Sequence, residues 1–240
     1  MTPGAWPLLL AASFGTGTLS AVAGFGGGVL LLPIFLAAFG PRDAVAVLTL
    51  VQLASNSGRV LLNRTEVDRR LVAIFALGAV PAAAAGTLVL TTAPLPALAR
   101  LAGAFLLAVV IWRRLRTTAP RLGEWTFALV GFGSGAGSAL LGSVGPMVAP
   151  FFLARGLVGG AYIGTEAAAA LVMHTTKLIV FGAAAALTAP TLLAGAVLTP
   201  AALAGVLAGK KIVDRLPVPI FVMLVETGLV ASGLLLLWHG

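Results

Sequence analysis

The sequence predicts an all-α, polytopic membrane protein of two inverted-topology repeats, with about eight to ten transmembrane segments, some broken or re-entrant. Three observations predict it. Hydrophobic residues make up 60% of the 240-residue chain and charged residues only 9%, too few charges to clothe a soluble domain of this size. The apolar residues form long runs separated by short loops of Pro, Gly and charge, and the mean hydropathy is +1.09. The second half also repeats the glycine pattern of the first. The runs are continuous rather than alternating, which excludes an outer-membrane barrel.

The elements follow in order. The first, 6–24, contains Ala21-Val22-Ala23, which mimics a signal cleavage site, but no basic residue precedes it and it is read as a retained helix. The second, 28–40, lies between three glycines and Gly40 and is too short to cross a bilayer at about 1.5 Å per residue. The third, 44–62, runs to Asn63-Arg64; the fourth, 71–91, starts after Arg69-Arg70; the fifth, 95–112, starts after Pro94 and stops at Arg113. The second half gives 125–142, a short 144–155, then 160–182, 190–209 and 217–238. The expected organisation is a first repeat at 1–112, a basic linker at 113–124 and a second repeat at 125–240.

FGTGTLSAVAG (14–24) aligns with FGSGAGSALLG (132–142) at a constant offset, pairing Gly15 with Gly133, Gly17 with Gly135, Ser20 with Ser138 and Gly24 with Gly142. At the same offset Asn56 meets His174 and Arg59 meets Lys177. Pro33 falls against Pro150 after a short slip. The basic residues Arg64, Arg69 and Arg70, then Arg113, Arg114, Arg116 and Arg121, then Lys210, Lys211 and Arg215, fall in three short loops. Under the positive-inside rule all three loops face the cytoplasm. Equivalent loops of the two halves then lie on opposite sides, the pattern of an inverted repeat in secondary transporters. The net charge of +8 thus marks membrane anchors, and nucleic acid is not an expected partner. With no cysteine, disulfides and thiolate metal sites are excluded, and no metal or cofactor is expected.

GFGGGVLLLP (24–33) and GSVGPMVAP (142–150) stand out. Thr16, Ser20, Gly24 and Gly28 recur every fourth residue, as a close-packed helix face requires. Close packing does not explain consecutive glycines, or Gly145-Pro146, before a short segment. Glycine costs a helix interior about 1 kcal/mol and proline about 3 kcal/mol, so the chain is expected to be broken at both places. Broken backbone at membrane depth must line a cavity or be buried in protein. The half-helix that follows presents free N–H groups and the positive end of its dipole, an anion site. Gly26, Gly27, Gly28 and Gly145 are the candidate donors.

Ionisable residues inside spans point to function. Asn56 and Arg59 share a face of the third segment; Glu166, Met173 and Lys177 share one on its counterpart, with His174 at the edge. Arg59, Lys177, Asn56 and His174 are therefore candidate substrate ligands, although Arg59 is close enough to the basic loop to snorkel. Glu166 follows Gly164-Thr165 near the start of its segment and is expected to favour the helix dipole. Glu226 is a candidate for proton coupling, or a partner for Lys177 or Arg59. Nothing resembles a nucleophile triad or a phosphate-binding loop, so an enzyme is not expected.

GFGGGVLLLPIFLAAFG, GFGSGAGSALLGSVGPMVAPFFLARG and GGAYIGTEAAAAL resemble the sulfite exporter TauE/SafE family, also called 4-toluene sulfonate uptake permeases. The resemblance implies a multi-pass transporter of the bacterial or archaeal inner membrane for sulfite, organosulfonates or related small anions. Carried onto this chain it adds Thr165, and Pro146 departs from the free amide of the first half. The expected function is alternating access, one repeat rocking against the other around an anion at the midplane. The alternatives are a passive anion channel, a carrier of small carboxylates, a lipid-modifying enzyme and a structural subunit; a homodimer is compatible with all. Single cysteines at Val67 and Val213 should label only from the cytoplasm, and one at Ala93 only from outside.

Overall fold

Backbone groups at membrane depth find no water, so helices that satisfy their own hydrogen bonds dominate. The computed structural model describes residues 3–24, 27–92, 123–157 and 159–212, with positions 104 and 111. Gly26, Glu226, the basic linker at 113–122 and the expected segments at 95–112 and 217–238 lie outside the described residues, those two positions apart.

A 3-10 turn leads into α1 (Trp6–Ala23), followed by α2 (Gly27–Phe39), α3 (Pro41–Leu62), α4 (Arg69–Thr92), α5 (Thr126–Leu141), α6 (Gly145–Ala154), α7 (Gly159–Ala183) and α8 (Ala189–Ile212). Each lies within three residues of an expected segment. Among the described residues, four helices (α3, α4, α7 and α8) are long and apolar enough to cross a membrane. Their outer faces carry Leu61, Leu77, Leu88, Ile179 and Leu193, all exposed. Such a surface suits lipid and would aggregate in water. The protein is an all-helical, multi-pass membrane protein.

The directions of the helices follow from close glycine contacts. A Cβ on Gly78 would overlap the Ala128 carbonyl, and one on Gly131 or Gly135 the carbonyl of Phe75 or Ala79. Contacts advance together along both chains, so α4 and α5 run parallel. Gly17 against Ala202, Gly205 against Phe14 and Gly209 against Thr18 make α1 and α8 parallel in the same way. Gly58 against Leu203 and Val206, with Gly195 against Leu50, aligns α3 with α8. The end of α3 meets the start of α7, where Asn63 packs on Gly164, so these two are antiparallel.

The most extensive packing joins α4 to α5 and α1 to α8, next come α3 with α7 and α8, and α4 with α7. Exchanging the first four helices for the last four leaves this set of contacts unchanged. α2 pairs with α3 through the one-residue turn at Gly40 (φ 77°), so it runs back alongside α1. With 13 residues, α2 is about 20 Å long and returns from mid-depth instead of crossing.

Two apolar clusters result. One gathers α2, the first half of α3 and Phe181 and Leu198. The other gathers α6, Leu71, Phe75, Phe127, Tyr162 and Met173. They sit toward opposite ends of the bundle with polar residues between them. The end holding the second cluster also carries Arg70 and Arg155, both bonded to Glu124, together with Arg64, Arg69, Lys210 and Lys211 at the matching helix ends. At the other end Thr191 donates to Asp43.

Small residues let the paired backbones touch. Gly131→Val should therefore lower thermal stability in detergent by about 1–3 kcal/mol. Gly133→Ala, with open space around it, should leave the stability unchanged or raise it.

Candidate functional site

The helix breaks are built alike. α1 stops at Gly24 (φ 75°) and α5 at Gly142 (φ 78°), left-handed conformations that glycine adopts without strain. A side chain would also collide, with the Tyr162 ring at Gly24 and with Leu48 at Gly142. A helix end bares carbonyl oxygens and the negative pole of its dipole, and each end here is met by a cation. Arg59 Nη1 donates to the Gly24 carbonyl at 2.6 Å. Lys177 Nζ donates to the Gly142 carbonyl at 2.9 Å, and to the Ser138 carbonyl and hydroxyl, each at 3.0 Å. In both cases the cation follows its glycine by 35 residues.

Between the breaks lies a small cavity lined by Gln52, Asn56, Arg59, Ser143, Gly145, Glu166 and His174, with Ser20 and Ser138. The breaks meet there: Gly28, in the first turn of α2, lies so close to Ser143 and Gln52 that a Cβ would sit 2.6 Å from the serine Cβ. The space has room for roughly one water.

Arg59 is 3% exposed and Glu166 4%, and they form an ion pair of 2.9 Å. Arg59 Nη2 donates to Asn56 Oδ1, while Asn56 Nδ2 donates to the Gln52 carbonyl at 2.8 Å. Among the described residues, buried Arg59 Nε and His174 Nδ1 have no hydrogen-bond partner. Buried polar groups are nearly always paired, and both of these residues line the cavity. Together with the α6 N-terminus at Gly145 they give the pocket hydrogen-bonding groups suited to a small anion.

The candidate residues divide by position. Asn56, Arg59, Gly145 and His174 come together at the cavity. Gly27 packs on Ser20, and Gly28 holds the two breaks in contact. Thr165 accepts from the Asp68 N–H at 2.9 Å, fastening the loop between α3 and α4. Lys177 is fully buried and spends its three donors on Ser138 and Gly142. Gly26 and Glu226 lie outside the described residues. The carboxylate partner of Arg59 is Glu166, which was expected to serve the start of its helix. It stands eight residues into α7, on the face shared with Met173 and Lys177, and that face was the signal for it. Ser138 and Ser143, absent from the expected site, complete the wall.

If Lys177 secures the end of α5, Lys177→Met leaves buried carbonyls unmet at about 1–3 kcal/mol. Thermal unfolding in detergent, with no anion present, should show that loss.

The family model described as sulfite exporter TauE/SafE matches residues 9–236. No curated protein matches the chain significantly, and no solved structure does. The match spans both helix breaks, both capping cations and the cavity between them, and the chain belongs to the sulfite exporter TauE/SafE family.

Proposed function

We propose that the chain is a secondary transporter that moves sulfite or a short organosulfonate by alternating access, with the anion bound in the cavity between the helix breaks. The observation that carries this reading is the pair of unpartnered, buried nitrogens of residues lining that cavity, Arg59 Nε and His174 Nδ1. Around them Gln52, Ser143 and the first turn of α6 add neutral hydrogen-bonding groups. Tetrahedral and pyramidal oxyanions match such a convergent set. The family membership supplies the substrate class.

The remaining parts follow from the same reading. Each equivalent pair, α1 with α5, α3 with α7 and α4 with α8, runs in opposite directions, and this supports an inverted repeat dividing the chain into 1–112 and 125–240. The common end of Arg64, Arg69, Arg70, Lys210 and Lys211 supports a cytoplasmic face in an inner membrane. The cavity between the breaks has room for about one water, narrower than the continuous path a channel needs, and this supports a carrier. Binding is modest, because a carrier must release its cargo.

An uptake screen in proteoliposomes tests the reading. Sulfite and methanesulfonate should be taken up and should exchange with the same anion on the far side, whereas acetate and sulfate should compete weakly. Arg59→Ala and His174→Ala should each reduce uptake by about tenfold or more, a loss of roughly 1.4 kcal/mol or greater in transport-competent binding. Leu61→Ala on the lipid face should leave it unchanged. No uptake of any of the four anions, or uptake indifferent to Arg59 and His174, would overturn the assignment.

A further inference from the structure

A sulfur oxyanion has at least four heavy atoms, and the cavity has room for about one water. Something must leave before it can bind. We propose that Glu166 is a resident anion: its carboxylate neutralises the Arg59 charge that the cargo needs, and its displacement releases the cytoplasmic end of the site. The inference rests on the transport reading above.

The hydrogen bonds of Arg59 indicate the exchange. Nη2 is engaged by Asn56 and Nη1 is shared between the Gly24 carbonyl and Glu166 Oε2, while Nε is unpaired. Nε is the guanidinium donor left for an anion in the cavity. Guanidinium groups bind oxyanions most strongly through two parallel N–H donors; beside Nε that second donor is Nη2, where Asn56 Oδ1 now sits, and the positive charge the anion needs is the one Glu166 neutralises from Nη1. The Gly24 carbonyl is neutral and holds Nη1 throughout. The other charged or titratable groups at the site among the described residues are His174 and Lys177, and Lys177 is saturated by Ser138 and Gly142. The cargo and Glu166 therefore compete for one cation.

The position of Glu166 makes the competition consequential. Its equivalent in the first half is Leu48, so the device exists once. The pair joins α3 of one half to α7 of the other beneath the cavity. Below it, toward the basic end, Asn63 packs on Gly164, Glu66 approaches Gly160 and Thr165 binds Asp68. This stack packs the start of α7 against the end of α3 on that side. A carboxylate displaced from its arginine cannot stay buried beside a second anion without a penalty of several kcal/mol. Toward the basic end it would pass Asn63 and Val67, which pack on Gly164. Anion binding thereby drives the start of α7 away from the end of α3.

Glu166→Gln keeps the shape and removes the competing charge. In calorimetric titration with methanesulfonate it should bind about tenfold or more tighter than the wild type. A second measurement leaves the ion pair intact: Val67→Cys in this cysteine-free chain should label several-fold faster with maleimide when methanesulfonate is added. In Glu166→Gln the same cysteine should label fast without the anion. Unchanged or weaker binding in Glu166→Gln, or labelling at Val67→Cys that ignores methanesulfonate, overturns the inference. A wild type that binds neither sulfite nor methanesulfonate overturns the transport reading itself; a wild type that binds, with no tightening in Glu166→Gln, overturns this inference alone.

Discussion

A helix that stops inside a bilayer leaves carbonyl oxygens that no water can reach. The rest of this structure depends on how those oxygens are met. At each break a cation from the third helix of the same half does so, Arg59 for Gly24 and Lys177 for Gly142. An unmet buried carbonyl costs about 1–3 kcal/mol, and an unpaired lysine at membrane depth about 2.5–3.5 kcal/mol. One contact offsets both penalties, so break and cation form a unit that neither could sustain alone. The unit fixes where α2 and α6 begin, and hence where the cavity lies.

The two halves share this frame and differ in what they hang on it. Ser20 and Ser138 are equivalent, and both line the cavity. Asn56 answers to His174, Gln52 to Ala170, and Arg59 to Lys177. The replacements make the site unequal: the first half provides the guanidinium and two amides, the second an imidazole, a serine and a helix N-terminus. In the transport reading proposed above, a near-symmetric scaffold allows reversal of direction and an asymmetric lining gives one cargo a preferred set of contacts.

The helices were legible in the sequence because continuous apolar runs and charged or Gly/Pro interruptions are local signals. The breaks were legible for a related reason, since a triple glycine and a Gly-Pro at matching places penalise a continuous helix twice. The equivalence of Arg59 and Lys177 could also be read from the offset. Their roles could not, because a free cation and one that caps a helix 35 residues earlier look the same in sequence. Only geometry separates Lys177, saturated by three oxygens, from Arg59, which keeps one donor unpaired. Glu166 was visible on the right helical face, yet its proximity to Gly164-Thr165 favoured a local role. Its true partner is 107 residues away, a distance that local patterning does not reach.

The glycine-sealed contacts carry a last consequence for motion. α1 is welded to α8, and α4 to α5, each along a seam where backbone touches backbone. Both seams cross from one sequence half to the other. A movement that separated the chain at its linker would tear both open at once, in lipid, with nothing to fill the gap. A movement that preserves them carries α1 with α8 as one blade and α4 with α5 as the other, hinging on α3 and α7 between. The mechanical halves of the molecule are then not its sequence halves.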